Sequence, residues 1–338
     1  MNMKKLLCLM LALVFALALA GCAESGSGEV SQAPETSDGG GGETKDDDIY
    51  IAAFSKGYQH VFWVRIQEGM QEACDEYGAR MTYEAPDEGQ NVDVQVEQIE
   101  AALGRNPDAI LIASVDAKAI VPAIEAANAQ GVPVFTFDSD SESKLIKAFY
   151  GTGNYAGGQL AAENMAKFIQ GKGKVAIVAN DQTSNSIVER RDGFMDYMEE
   201  NHPDIEIVDI QYNDDDSFKS TEICTTFLLT HDDLAGIYGC GQSSSEGMVT
   251  AVNEQGMSGE VVCVGFDSGN LLLNAVKDGT LTGAVTQNPY NMGYICAKGA
   301  LEYVVDGKEP AQYFNDSGSA FYTKDNIDSE EIQGMVYE

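Results

Sequence analysis

Residues 107–138 read PDAILIASVDAKAIVPAIEAANAQGVPVFTFD, and this segment carries the clearest fold signal in the chain. It contains two runs that are apolar nearly throughout, 109–113 and 132–137, with a helical segment between them that ends near Gly131. Strands that are apolar on both faces belong in a parallel sheet covered by helices. The segment therefore predicts a strand-helix-strand unit of a parallel α/β fold.

The same alternation extends over the rest of the chain from residue 49. Further strand-like runs cover residues 49–55, 80–85, 174–179, 205–209, 236–239, 261–265 and 282–285. Between them, apolar residues recur with the helical period, as in the stripes Ile66, Met70, Ala73, Tyr77 and Val96, Ile99, Leu103. Helix ends that favour a left-handed residue are expected at Gly78, Gly104 and Gly131.

Length and local sequence favour two lobes. At roughly 100–200 residues per domain, a chain of 338 residues suggests about two domains. A repeated β/α array fits one closed eight-stranded barrel or two doubly wound domains. The sequence Tyr-Gly-Thr-Gly-Asn at 150–154 breaks the alternation near mid-chain, and we interpret it as a crossing between domains. The expected fold is α/β, with two similar doubly wound parallel-sheet lobes.

Charge excludes one class of partner. The chain has 20 Lys and Arg against 54 Asp and Glu, for a net charge of -34. No basic stripe is visible that could neutralise phosphates, so no nucleic-acid partner is expected.

The N-terminus is typical of an exported lipoprotein. Lys4 and Lys5 precede an apolar run, 6–20, that is shorter than the roughly 20 residues needed to span a bilayer. The run ends in Leu-Ala-Gly-Cys22, which resembles a bacterial lipobox and implies cleavage before Cys22 and lipid on that residue. We expect a signal peptide at 1–21 and a disordered acidic tether at 22–48. Five cysteines of the body, in mostly apolar stretches, are expected to be buried free thiols.

Polar side chains follow the predicted strands, where ligands bind in open parallel sheets. They are Ser55, Lys56, Asp116, Asp138, Asn180, Asp181, Gln242, Asp267 and Gln287. Such hydrogen-bonding groups suit a small neutral polyhydroxy ligand. Any single one is equally well explained as a helix N-cap.

Two adjacent aromatic residues, Phe62 and Trp63, follow the first strand. They suit the C–H face of a sugar ring. They also precede Ile66 by three or four residues on the same stripe, so core packing explains them equally well.

The chain resembles the periplasmic-type sugar-binding proteins related to ribose-, galactose- and xylose-binding proteins, the capture subunits of ABC importers. The resemblance covers nearly all of residues 49–338. It is carried by the order and spacing of the motifs Phe62-Trp-x5-Gly69, Pro107-Asp-Ala-Ile-Leu, Val132-Pro-Val-Phe-Thr-Phe-Asp138, Gly151-Thr-Gly-Asn-Tyr-x-Gly-Gly158, Gly171-Lys-Gly-Lys-Val-Ala, Glu189-Arg-Arg-Asp-Gly-Phe194, Val264-Gly-Phe-Asp267 and Thr286-Gln-Asn-Pro-Tyr290.

The resemblance implies a periplasmic binding protein type I fold, in which a three-segment hinge joins the lobes. The crossings are expected near Gly153, near Thr286 and at 316–320. The N-terminal lobe then comprises 49–153 and 287–316, and the C-terminal lobe 154–286 and 317–338.

The resemblance also implies roles for individual residues. Phe62 and Trp63 match stacking aromatics, and Asp138 matches a carboxylate that takes two ring hydroxyls. Arg190 matches an arginine that forks onto ring or hydroxyl oxygens. Asp267 matches a second carboxylate and Gln287 a hinge glutamine.

The sequence departs from the ribose-binding pattern at two places. Gly241, followed by Gln242, replaces an Asn. Asp214 or Asp215 replaces a second stacking aromatic, although Tyr212 and Phe218 are near.

Lys56, followed by Phe62 and Trp63, also resembles autoinducer-2-binding proteins, although those lack the Arg190 pattern. The expected function is therefore monosaccharide capture for an ABC importer. The alternative is a receptor that presents an autoinducer-2-like ligand or a sugar to a membrane sensor.

Enzyme chemistry is not expected. The spacing Gly151-x-Gly-x-x-Ala156 fits a dinucleotide fingerprint only formally, and we interpret it as a hinge turn. No catalytic residue, cofactor or metal is expected. The resulting expectation is a monomer at the outer face of the cytoplasmic membrane, with a sugar and permease subunits as partners and only a lipid anchor in the bilayer.

Overall fold

The computed structural model describes residues 48–58, 60–87 and 91–337. The expected signal peptide, Cys22 and the tether up to residue 47 lie outside the described residues. Within the described part of the chain, the helices are too short or too polar to cross a membrane.

Strands and helices alternate along the chain. In order they are β1 (Tyr50–Phe54), α1 (Val61–Tyr77), β2 (Arg80–Glu84), α2 (Val92–Leu103), β3 (Ala109–Ile112), α3 (Val121–Ala129), β4 (Val134–Phe137), β5 (Ile146–Gly151), α4 (Asn154–Phe168), β6 (Gly173–Ala179), α5 (Asn185–Asn201), β7 (Ile205–Tyr212), α6 (Ser217–Thr230), β8 (Leu234–Gly239), α7 (Gln242–Glu254), β9 (Val262–Phe266), α8 (Asn270–Asp278), β10 (Gly283–Gln287), α9 (Pro289–Asp306), β11 (Phe314–Asp316), β12 (Ser319–Thr323) and α10 (Glu330–Met335).

The strands form two separate six-stranded sheets of matching order, β11-β5-β4-β3-β1-β2 and β12-β10-β9-β8-β6-β7. All strand pairs are parallel except β10 with β12. Each sheet has a hydrophobic cluster on both faces. The expectation of two similar doubly wound lobes is confirmed, and a single closed barrel is excluded.

The chain passes between the sheets after β5, after β10 and after β11. The three segments are bonded to one another. The hydroxyl of Thr152 donates to Gln287 Oε1 at 2.8 Å, and the amide of Gly153 donates to Asp316 Oδ1 at 3.1 Å. Gln287 is the last residue of β10 and still pairs with Ser319 in the second sheet.

In each lobe, one helix pair meets at a glycine contact. A Cβ on Gly293 of α9 would lie 2.0 Å from the carbonyl oxygen of Ile66, and one on Gly158 of α4 would lie 2.1 Å from that of Arg190. The partner helices contribute reciprocal glycines, Gly69 in α1 and Gly193 in α5. These contacts bring α5, and Arg190 on it, directly against α4.

Two local expectations were wrong. Gly104 is right-handed with φ -65°, and Asn106 nearby takes the left-handed conformation with φ 52°. Strand β5, Ile146–Gly151, was missed because its Tyr-Gly end was interpreted only as a crossing. It alternates buried and half-buried residues instead of being apolar throughout, and that pattern is weaker than the one in β3 or β4.

The five cysteines of the body, Cys74, Cys224, Cys240, Cys263 and Cys296, are all buried free thiols.

Candidate binding site between the lobes

Two carboxylates occupy equivalent places in the two lobes. Asp138 directly follows β4 and Asp267 directly follows β9, and each of these strands is third in its sheet. Both have left-handed backbones, with φ 56° and 77°. Asp is among the few residue types that tolerate this conformation. The backbone thus turns at the end of each central strand, and both side chains line one interlobe cavity.

On the N-terminal side, Asp138 is paired with a cation. Its Oδ2 lies 2.9 Å from Lys56 Nζ and accepts a hydrogen bond of 2.8 Å from the hydroxyl of Ser139. Lys56 also donates to that hydroxyl. Its ammonium lies 5.9 Å from the centroid of the Trp63 ring. Lys56, Asp138 and Trp63 therefore form one connected group at the ends of β1 and β4.

On the C-terminal side, Asp267 is buried and has a partner at each carboxylate oxygen. Oδ1 accepts from Gln287 Nε2 at 2.6 Å, and Oδ2 lies 3.5 Å from Arg190 Nη1. Gln287 is itself tied to Thr152, so the hinge and this carboxylate belong to one hydrogen-bond network.

Arg190 lies behind Asp267. Its Nε donates to Asn154 Oδ1 at 2.9 Å, its Nη1 donates to the carbonyl of Cys240 at 3.3 Å, and its guanidinium carbon lies 3.8 Å from the centroid of the Phe266 ring. Of the residues to which the resemblance assigned individual roles, it alone does not line the cavity in this structure. The positive charge of its guanidinium compensates the negative charge of Asp267.

The two aromatic residues contact both the core and the cavity. Phe62 and Trp63 lie in the first turn of α1 with ring centroids 5.1 Å apart and planes at 84°. Phe62 is only 7 % exposed and belongs to the N-terminal core, against which Trp63 packs. Both also line the cavity. The stacking and core interpretations are therefore compatible.

The first turn of α1 is held by His60. This residue is the N-cap, and its Nδ1 accepts a hydrogen bond from the amide of Phe62 at 3.2 Å. It lines the cavity and was missed from the sequence. Its only signal was its position just ahead of an apolar helix.

Asn180 explains the glycine at 241. The Asn180 side chain donates to Asp215 Oδ1 at 2.6 Å and to Ser243 Oγ at 3.0 Å, and accepts from Ser244 at 2.6 Å. A Cβ at Gly241 would lie 2.7 Å from Asn180 Oδ1. An amide that follows β6 therefore fills the space that a side chain at 241 would take.

Asp215, in the loop that precedes α6, lines the cavity and has an exposed side chain. The C-terminal lobe therefore contributes this carboxylate to the cavity. Gln242, the first residue of α7, also lines it, and its Nε2 donates to Glu246 at 2.9 Å. Neither Tyr212 nor Phe218 is among the lining residues, and Phe218 is 70 % exposed.

Two polar residues that follow strands accept hydrogen bonds within their own turns instead of lining the cavity. Asp116 Oδ1 accepts from the amides of Lys118 and Ala119, both at 2.8 Å, and these bonds lower the pKa of Asp116. Asp181 Oδ1 accepts from the amides of Thr183 and Ser184 at 2.7 and 2.6 Å. Each carboxylate therefore closes the turn after its strand, and neither is the helix N-cap that was the alternative, since that position is Ile120 in α3 and Ser184 in α5.

The cavity has a volume of about 280 Å³, near the lower end of the roughly 300–1,000 Å³ typical of small-molecule sites. Both lobes contribute to its lining of Lys56, His60, Phe62, Trp63, Asp138, Asn180, Asp215, Gln242, Asp267, Gln287 and Tyr337. Within the described ranges, no three His, Cys, Asp or Glu side chains are placed to share a metal ion. The cavity offers both donors and acceptors around a small ligand, with aromatic surface at one side.

Comparison with known proteins agrees with this architecture. Residues 51–309 match the family model described as periplasmic binding protein domain. The ribose import binding protein RbsB of Bacillus subtilis is 26% identical over 248 residues, which is 73% of this chain and 79% of that protein. The xylose/arabinose-binding protein XylF of Sulfolobus acidocaldarius is 25% identical and covers 79% of this chain and 69% of its own length.

Solved structures show the same fold. An ABC transporter solute binding protein from Agrobacterium vitis with bound D-fucose superposes with a TM-score of 0.74 at 33% identity, covering 85% of this chain and all (100%) of that one. A carbohydrate transporter solute binding protein from Agrobacterium radiobacter in complex with D-arabinose gives 0.76 at 27% identity, with 86% and 100% coverage. From its fold, its cavity and these matches, the chain belongs to the periplasmic binding protein domain family, among the sugar-binding solute-binding proteins of ABC transporters.

Proposed function

We propose that this protein captures a monosaccharide in the cavity between its lobes and delivers it to an ABC importer. The observation that carries the proposal is the meeting of Asp138, Asp267 and Gln287 with Phe62 and Trp63 around one small cavity. Carboxylate and amide groups bind ring hydroxyls, and aromatic rings pack on the apolar face of a pyranose. The related structures hold D-fucose and D-arabinose, so pentoses and deoxyhexoses are the first ligands to test.

The arrangement of charges supports a neutral ligand. Lys56 compensates Asp138 and Arg190 compensates Asp267, each across a short distance. A neutral sugar can take the remaining hydrogen-bonding capacity of both carboxylates without adding an unpaired charge. Truncating either carboxylate leaves hydroxyls or the paired cation unsatisfied, which costs about 1–3 kcal/mol or more when buried.

Calorimetric titration with D-arabinose, D-fucose, D-ribose, D-xylose and D-galactose tests the proposal. At least one of these sugars should bind the parent saturably with one site. Asp138→Asn should weaken that sugar by about 2 kcal/mol or more, roughly thirtyfold. Asp116→Asn is the matched control, because Asp116 also follows a strand but caps its own turn, and it should bind as the parent does. No binding of any sugar, or equal affinity in both variants, would contradict the proposal.

We also propose that the protein acts as a monomer anchored through lipid on Cys22 at the outer face of the membrane, with the permease subunits of the importer as its partners. The sequence Leu-Ala-Gly-Cys22 after an apolar run supports the anchor. Mass spectrometry of the N-terminal peptide should show a diacylglyceryl-modified Cys22, and Cys22→Ala should release the protein from membranes. An unmodified Cys22 in the membrane fraction would refute the anchor.

A further inference from the structure

The last residues of the described chain connect the cores of the two lobes. Helix α10 packs on the C-terminal lobe, where Ile332 and Val336 belong to the same hydrophobic cluster as Leu272. The next residue, Tyr337, belongs to the N-terminal cluster together with Phe62. Neighbouring residues of one segment are thus buried in different lobes, and Tyr337 reaches across the cavity that lies between them.

The contacts of Tyr337 divide between the lobes in the same way. Its ring lies edge-on to Phe62, with centroids 5.6 Å apart and planes at 71°, and edge-on to His60 at 6.0 Å and 69°. Its amide donates to Ser268 Oγ at 3.1 Å, and its hydroxyl lies 3.2 Å from Asp267 Oδ1. The side chain is 3% exposed and lines the cavity.

The hydroxyl of Tyr337 acts on a carboxylate of the site. Oδ1 of Asp267 accepts from both Gln287 and Tyr337, while Oδ2 lies toward Arg190. Burial raises the pKa of Tyr337 well above its usual value, and the charge of Asp267 adds to this, so the phenol stays protonated and donates. Two donors on Oδ1 hold the carboxylate in one rotamer and orient Oδ2.

We propose that Tyr337 is a positioning and specificity-determining residue of the sugar site. Its hydroxyl fixes the orientation of Asp267. Its ring forms the part of the cavity wall that connects His60 and Phe62 of the N-terminal lobe with the C-terminal lobe. The proposal rests on the proposed function. A fixed carboxylate distinguishes sugars by the direction of the hydroxyl that meets it, because a misdirected hydroxyl leaves a buried acceptor without its partner.

The test is a double-mutant cycle on sugar affinity with Tyr337→Phe and Asp267→Asn, using whichever sugar of the calorimetric panel binds the parent most tightly. Tyr337→Phe keeps the ring and its packing, so the melting temperature should change little. It should weaken the sugar about tenfold in the parent and leave affinity unchanged in the Asp267→Asn background. It should also lower the selectivity, which is the affinity for that sugar divided by the affinity for its epimers.

Tyr50→Phe is the matched control, because Tyr50 is equally buried but does not line the cavity, and its hydroxyl bonds to Thr82 at 2.9 Å and to Arg105, both in the N-terminal lobe. It should not change affinity. Parental affinity in Tyr337→Phe, or an equal loss in both backgrounds, would overturn the role of Tyr337 while sugar binding by the parent still supports the proposed function. Absence of sugar binding by the parent would overturn both.

Discussion

Asp138 and Asp267 show how single residues define the site. Each stands in a left-handed backbone at the end of a central strand, and each faces the cavity. Residues other than Gly, Asn and Asp pay roughly 1–2 kcal/mol for this conformation. The residue type therefore serves the local turn and places a carboxylate at the cavity, and the two effects can be separated by substitution.

Comparing two variants at 138 isolates the backbone role. Both Asp138→Asn and Asp138→Val remove the ion pair with Lys56, but only Asn tolerates φ 56°. We expect Asp138→Val to be less stable than Asp138→Asn by about 1–2 kcal/mol in urea unfolding. Equal midpoints for the two variants would show that the left-handed turn is not maintained there.

Burial should make the cysteines of the body unreactive. It raises the pKa of Cys74, Cys240 and Cys263 to about 12, and that of Cys224 and Cys296 also upward. Because the thiolate is the reactive species, an alkylating reagent at pH 8 should leave these five unmodified in the folded protein and modify them in urea. Peptide mass mapping reads each site, and rapid native labelling of any of the five would contradict the packing described.

The position of a polar residue after a strand predicted much of the site, but not all of it. This criterion selected Lys56, Asp138 and Asp267. It also selected Asp116, which caps its own turn. Sequence does not distinguish these cases, because all four residues lie in the loop that follows a strand. Tyr337 could not be found this way, since its contact with Asp267 spans 70 positions and depends on how α10 docks.

At the scale of elements, apolar periodicity predicted the helices and most strands because buried faces leave a repeating pattern. The stripe Ile66, Met70, Ala73 on α1 is fully buried. Strand β5, which lies beside β11, was not predicted because its buried residues alternate with half-buried ones. In the sequence, the glycines of the helix contacts appeared only as members of motifs. Their contacts could not be predicted, because the close approach of two backbones depends on the tertiary structure.

Gly158→Ala tests the contact between α4 and α5. A Cβ there would lie 2.1 Å from the carbonyl oxygen of Arg190, so the helices must separate. We expect a loss of about 3 kcal/mol in unfolding free energy, together with weaker sugar binding through displacement of Arg190. Gly104→Ala is the control, because it is exposed, right-handed and free of such a contact, and it should be nearly neutral. A Gly158→Ala variant as stable as the control would refute the close approach.

At the scale of the molecule, three bonded crossings and Tyr337 join lobes that each contribute groups to one cavity. A sugar can satisfy both sets of groups only when the lobes are close together, so binding should shift the protein toward that arrangement. Small-angle scattering should give a smaller radius of gyration with saturating sugar than without it. An unchanged radius would argue against closure.

Occupancy of the cavity can be observed directly, because Trp63 is the single tryptophan of the chain and lines the site. If a monosaccharide binds between the lobes, the Trp63 emission should change saturably in intensity or wavelength, with the same midpoint as the calorimetric titration. Emission that stays constant while calorimetry records binding of the same sugar would place the ligand elsewhere and contradict the account.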